Sequence, residues 1–292
     1  MNLLSELFYT KCYIIYPPFK KGLYLEEYFF EYMKKNKKQK DKSGRLYIPA
    51  FWTNFQIENW FSSKKEEMQQ LLDNYLSQNN CSEGYFTVVQ HDNGPMLMLP
   101  NNTIVYGCCN GTIPIPLIYQ DLDSKLDTMC NISKHIQKDI LCSFVGTVTH
   151  KVRKTMMKFL KRDKRFILLE QDGWTTDVNV VRQQIFINTT IKSKFALAPR
   201  GFGRSSFRYF EIIKLGTIPI YIWDDIEWLP YKNVIDYTKF SISINISEIQ
   251  NLGNILDEIV LSGKYEIMLK ELENIRKNKI FEMDYLCEYI VI

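Results

Sequence analysis

The chain is 292 residues long, carries a formal net charge of +4, and is 46% hydrophobic and 24% charged. That balance belongs to a folded globular protein and excludes a disordered chain. The charge is spread, and the one basic run, 34–42, holds neither Arg nor interleaved aromatics, so a solvated loop or helix end explains it better than a nucleic-acid site.

Short apolar runs alternate with longer helical patterns, the signature of parallel α/β architecture. In the first half, strands are expected near Cys12–Tyr16, Arg45–Pro49, Tyr85–Gln90, Thr103–Tyr106 and Pro114–Tyr119. Helices fit Leu25–Lys35, Asn54–Trp60 and Lys64–Gln78. The second half reads more cleanly. A strand at Ile140–Val145 runs into Gly146 and a helix from about Lys151 to Arg162; a strand at Arg165–Glu170 precedes a helix near Val178–Thr189. Strand Phe195–Ala198, helix Ser205–Leu215, strand Ile218–Ile222 and a short strand Phe240–Ile244 follow. Helices Ser247–Leu261 and Lys264–Lys279 and a last helical stretch to Tyr289 complete the chain.

The polar stretch Asp121–Lys138 lacks a strong period and precedes a fresh β-α-β series. It divides the chain into 1–130 and 131–292, two small α/β domains, with the last helix free to pack back on the first. Seven cysteines (12, 81, 108, 109, 130, 142, 287), an odd count without a CxxC pair, and three histidines (91, 135, 150) give no metal-ligand spacing. They read as free thiols in a reducing compartment. The start of the chain lacks a signal-peptide pattern, and no run reaches the roughly 18–20 apolar residues that a membrane span needs. The expectation is a cytoplasmic protein without a membrane span or nucleic-acid partner.

The chemistry concentrates after Phe195–Ala198. Pro199 ends that strand, and Arg200-Gly201-Phe202-Gly203-Arg204-Ser205-Ser206 leads into a helix closed by Gly216. Glycines between a strand and a helix let backbone approach an anion closely. The helix start at Ser205 and Ser206 offers N–H groups and the positive dipole end. Arg200, Arg204 and Arg208 surround the same point, so a diphosphate is the expected guest. Ser205, Arg208 and Glu211 recur every three residues along one helix side. Arg208 can reach a phosphate oxygen, and Glu211, a turn deeper, can accept from the vicinal hydroxyls of a ribose. GFGRSS also resembles a GxGxxG dinucleotide fingerprint with Asp224 or Asp225 downstream, which keeps an NAD(P)-dependent oxidoreductase as an alternative. Ser206 in place of the third glycine, and only 92 residues after Gly201, weigh against it.

At this point a family resemblance emerges. Ser193–Tyr231 (SKFALAPRGFGRSSFRYFEIIKLGTIPIYIWDDIEWLPY) resembles the signature of the exostosin family, glycosyltransferase family 47. That signature has a strand, a Pro-Arg-Gly turn, a Ser-x-x-Arg-x-x-Glu helix and a Gly-x-Ile-Pro-Val strand leading to Leu-Pro-Phe, with Tyr231 here in place of Phe. Asn233–Ile244 continues the match. Phe144-Val145-Gly146 with His150 and Arg153 resembles the family's Phe-x-Gly segment, and Tyr85–Asp92 its strand ending in His-Asp. The resemblance implies a GT-B architecture, two Rossmann-like domains facing a central cleft with the donor held by the C-terminal one. It also implies an inverting transfer from a UDP-sugar to a glycan or glycoprotein acceptor without a bound metal. The compact, Lys/Asn/Ile-rich chain looks more like the exostosin-like enzymes of large DNA viruses of algae, which favours UDP-xylose as donor and a virus-infected cell or virion as location.

Under this reading Gly146, Arg153, Arg200, Gly201, Gly203, Ser205, Ser206, Arg208, Glu211 and Tyr221 bind the donor. Inversion needs a base for the acceptor hydroxyl. Asp92, at the end of strand Tyr85–Gln90, is the first candidate, then His91, then Asp73 on the helix Lys64–Gln78. Trp52 and Phe51, with Tyr47 and Trp60 in the same cluster, could stack on acceptor rings, although packing in a core suits such a cluster better. Asp121-x-Asp123 is set aside as a metal pair because no apolar strand immediately precedes it. A glycan-binding module without catalysis is the other alternative; it would not need an anion cradle at a helix start.

Overall fold

A computed structural model describes residues 16–132 and 135–292. The expected strand Cys12–Tyr16 therefore lies, apart from Tyr16, outside the described residues. The described chain forms two compact units: Gly22–Gln120 with Glu282–Ile292, and 16–21 with Asp121–Phe281.

In the first unit, four parallel strands stand in chain order: β1 (Leu46–Tyr47), β2 (Tyr85–Val89), β3 (Thr103–Gly107) and β4 (Ile113–Pro114). Strand β2 is buried along its whole length, as its unbroken run YFTVV requires. The expected strand Pro114–Tyr119 shrinks to the two-residue edge strand β4. Pro114 and Pro116 carry no N–H for a ladder, which confines such a segment to a short sheet edge. Helix α1 (Leu25–Lys35) places acidic Glu26 and Glu27 in its first turn and Lys34 and Lys35 in its last, both matching the helix dipole. Helix α2 (Trp52–Gln56) begins earlier than the expected Asn54–Trp60, and α3 (Phe61–Gln78) carries the chain back to the start of β2.

In the second unit, the parallel strands β5 (Ile140–Gly146), β6 (Phe166–Glu170), β7 (Ser193–Pro199), β8 (Ile218–Trp223) and β9 (Ile242–Asn245) stand in the order β6-β5-β7-β8-β9. The helices of this unit are α4 (Lys125–Ile132), α5 (Lys151–Leu160), α6 (Val180–Ile191), α7 (Phe207–Lys214), α8 (Leu252–Leu261) and α9 (Lys264–Lys277). In chain order the sheet reads 2-1-3-4-5. The connections reverse between β5 and β7, and ligands of such sheets bind beyond the carboxyl ends of the strands at that point. Helix α4 lies within the polar stretch read as a plain boundary; its two buried residues, Leu126 and Cys130, stand four apart, too few to give a visible period. The final helix α10 (Met283–Val291) belongs to the first unit, where it packs on α1 and Tyr28 Oη donates to Asp284 at 2.6 Å. Both units are Rossmann-like α/β assemblies, the fold class expected from sequence.

Candidate active site

The reversal point is built from the loops after β5 and β7. Strand β5 ends at Gly146, where an added Cβ would meet the Phe144 ring at 3.1 Å. His150 caps α5, its Nδ1 accepting the Val152 N–H. Burial and then the nearby Arg200 push its pKa down, against the pull of Asp224. One turn into α5, Arg153 donates to three main-chain carbonyls: Arg200 O at 3.1 Å from Nε, Thr147 O at 2.9 Å from Nη1, and Pro199 O at 3.3 Å from Nη2. Arg153 thus staples the two loops together. Burial, followed by the nearby Arg208, lowers its pKa to about 10.

The arginines expected to ring a diphosphate are already engaged within the protein. Buried Arg200 donates to Asp224 (2.7 Å), Asp225 (2.6 Å) and the Phe202 carbonyl (2.9 Å), while its Nε is buried without an acceptor. Arg204 donates to Asp225 at 2.8 Å and lies over the Trp228 ring. Lys151 reaches the other side of Asp224 at 3.1 Å. A buried cation has to be paired, and Asp224 and Asp225, which sequence reasoning weighed only as dinucleotide ligands, do that here. For Asp225, burial works to raise the pKa, but its hydrogen bonds and the charges of Arg200 and Arg204 hold it well below the carboxylate range.

Ser205 is buried, and Ser206 takes the N-cap of α7 in an extended conformation without a side-chain capping bond. Two residues on, the Arg208 guanidinium lies 3.6 Å from the centre of the Phe186 ring and 3.6 Å from Glu211, which is buried. Tyr16 completes this cluster, with its ring edge-on to Trp174 and Phe207. Burial and then Glu211 raise its pKa, while Arg208 and Arg153 oppose them. Tyr16, Trp174 and Phe186 are separated from α7 in sequence and escaped the sequence reading. Tyr221 is buried, and its hydroxyl donates to Arg204 O at 2.5 Å and accepts the Trp228 N–H, so it fixes the loop rather than presenting a hydroxyl to a ligand. Neither Gly201 nor Gly203 adopts a left-handed φ; a Cβ on Gly201 would meet only Arg153 Nη2, at 3.6 Å. Around this edge Lys151, Arg153, Arg200, Arg204 and Arg208 face Asp224, Asp225 and Glu211, a net positive field suited to an anion.

In the first unit, His91 and Asp92 follow β2 in a turn closed by Gly94 N–H to His91 O, with Asn93 N–H donating to His91 Nδ1. Asp92 is exposed. Burial lowers the His91 pKa, against the pull of Asp92. Asp73 does not join them. It lies about 18 Å along α3 from the helix start, on a crossover that runs away from the carboxyl ends of the strands, and accepts from Gln69. Trp52 and Phe51 are core residues, correcting their assignment as sugar platforms. Trp52 is fully buried with its Nε1 donating to Thr87, and Phe51 packs edge-on to Phe30. Asp121 accepts the Lys125 N–H at the start of α4, and Asp123 pairs with Lys21. Among the described residues no three His, Cys, Asp or Glu side chains converge as metal ligands, and no helix is long and apolar enough to cross a membrane.

A doubly wound parallel sheet with a cationic, helix-start edge at its reversal point defines a Rossmann-like α/β class of domain. The sequence narrows the class: residues 76–259, well over half of the chain, match the exostosin GT47 domain, and the chain belongs to that glycosyltransferase family. It is 28% identical over 129 residues to a probable glucuronosyltransferase of Oryza sativa subsp. japonica, covering 44% of this chain and 30% of that protein. It is 27% identical over 218 residues to a probable glycosyltransferase of Arabidopsis thaliana (68% and 43%). It is 23% identical over 129 residues to a probable glucuronoxylan glucuronosyltransferase of the same plant (44% and 27%). The matches span less than half the length of each of these relatives.

Proposed function

We propose that this chain transfers a sugar from a UDP-sugar to a glycan hydroxyl with inversion and without a metal ion. One observation carries the proposal: the start of α7 and the pair of half-buried Arg208 with buried Glu211 stand at the reversal point of the second sheet. In this reading the first N–H groups of α7 and the field of the surrounding cations take up the diphosphate. Glu211 accepts from the ribose hydroxyls. Arg153, Arg200 and Tyr221 hold the loops in shape, and Asp92 takes the acceptor proton. Xylose is the first donor sugar to test. Glucuronate is the second, because two of the relatives above are named as glucuronosyltransferases.

The test is thermal unfolding with UDP, UDP-xylose, UDP-glucuronate, GDP-sugars and NAD(P)H, followed by release of UDP in the presence of oligosaccharides. A ligand that binds the native state raises the melting point. Stabilisation by UDP and its sugars, unaffected by chelator, is expected. Stabilisation by NAD(P)H alone would overturn the proposal.

A further inference from the structure

A groove of about 590 Å3 opens on the second unit, well within the size range of small-ligand sites. Glu227, Lys232, Asp236 and Ser243 supply polar groups, and Val234 and Tyr237 supply apolar surface. None of the residues assigned to the donor lines it. It takes in Ser243, which pairs with Tyr221, and also Ser241, which bonds back to Pro219 O at the start of β8. Most of its lining, from Glu227 to Thr238, is the loop that leaves β8 after Trp223, and Ser241 and Ser243 at the edge strand β9 complete it.

The loop that lines this groove is pinned from behind by Tyr231, which is itself buried. Tyr231 holds a left-handed φ of 57°, an uncommon conformation for a bulky aromatic residue. Its carbonyl accepts from the Val234 and Ile235 N–H groups, and its ring stacks on Phe281. Tyr237, beside it, donates to Pro230 O and packs near Tyr209, Phe240 and Phe281. Strain of this kind, enforced by surrounding packing, clusters at ligand sites. Glu227 accepts from Ser243 Oγ and pairs with Lys232, and Ser243 in turn accepts from Trp223 Nε1 at 3.0 Å. Burial works to raise the Glu227 pKa, but those hydrogen bonds and the Lys232 charge outweigh it, so the carboxylate is ionised.

Two carboxylates against one ammonium leave the groove net negative, which disfavours phosphate and uronate. Acceptors and donors set around apolar surface match a ring with hydroxyls at its edge and C–H groups on its faces. We infer that this groove binds a neutral residue of the acceptor glycan, a contact separate from the nucleotide site. The inference rests on the glycosyltransferase reading for the word acceptor, and the test is arranged so that the two can fail separately.

Saturation-transfer NMR on the full chain, with xylohexaose, cellohexaose and a galactan oligosaccharide as probes, reads binding alone. Hydrolysis of UDP-sugars in the absence of acceptor reads the donor site alone. Binding of at least one probe is expected, with loss of its signal in Val234→Trp, which fills the exposed wall. Glu227→Gln should weaken the probe about tenfold while donor hydrolysis stays within twofold of wild type. If no probe binds, if Val234→Trp leaves binding intact, or if either variant shifts the KM of the donor, the groove is not an acceptor site. If the probes bind and are lost as stated but no UDP-sugar is turned over, the glycan site stands and the proposed transferase activity falls.

Discussion

Arg153 Nε lies 3.1 Å from the main-chain oxygen of Arg200, so the residue read from sequence as a phosphate ligand acts first as a clasp on the neighbouring loop. Its planar fork reaches carbonyls of both loops at the reversal point. A lysine ammonium keeps the charge but cannot span the same set. Arg153→Lys should cost about 1–3 kcal/mol, the cost of buried acceptors left unpaired, and weaken UDP about tenfold as the loops loosen. Chemical denaturation and calorimetric titration with UDP check both numbers; wild-type values in both would remove the clasp from the argument.

Arg208 needs a different substitution. Removing it to alanine takes the ion-pair partner from Glu211, which is only 4% exposed, and breaking a buried pair costs about 3–5 kcal/mol. Inactivity of that variant would then report unfolding. Arg208→Lys keeps the charge while giving up the stacking on Phe186. Turnover should fall about 100-fold, the scale set by removing one preorganised donor from a transition state, with a melting point within a few degrees of wild type. Near-normal kcat would exclude the guanidinium from stabilising the leaving group.

The second sheet was readable because its three inner strands are short, largely buried, apolar runs bounded by Gly, Pro or charge; SKFALAP and IPIYIW carry their own boundaries. The helix α7 was readable for the same reason, with Ser before it and Gly216 after it at a left-handed φ of 68°. What sequence could not give is the pairing. Arg200 and Asp224 are 24 residues apart and meet only because β7 and β8 are neighbours. Tyr16 reaches the α7 cluster from a segment nearly 200 residues away. Trp52 and Phe51 kept two readings open for a related reason: aromatics after a strand look the same whether the following helix turns them inward or outward. Here the Thr87 hydroxyl waits inside for the Trp52 N–H.

Glu26 gives a pH prediction. It is buried at the end of the first sheet and accepts from Gln90 N–H at 2.7 Å, Thr53 N–H at 3.0 Å and the Thr53 hydroxyl at 2.8 Å. Burial outweighs these bonds and raises its pKa from 4.5 to about 7. The native state therefore holds a proton that the unfolded chain has already released between those values. Stability from this group is complete below the unfolded pKa and is lost as pH rises through about 7. The wild type should lose on the order of 2–3 kcal/mol between pH 5 and pH 8 relative to Glu26→Gln, which cannot ionise. Parallel pH profiles for the two proteins would eliminate the assignment.

The base is the remaining question, and the turn after β2 offers two groups with unlike surroundings. His91 Nδ1 is taken by the Asn93 N–H, and burial holds its pKa below the usual value, so the ring is neutral at pH 7 with only Nε2 left to act. Asp92 is exposed at the same turn. A group that takes a proton only in the transition state contributes about 10²–10⁴ in rate and little to donor affinity. Asp92→Asn should therefore lower kcat on that scale while UDP stabilises the protein as before, and His91→Gln should cost far less. If the histidine variant carries the large loss, the roles exchange. The acid limb of the kcat/KM profile would then fall below the ordinary histidine pKa, and the asparagine variant would retain it.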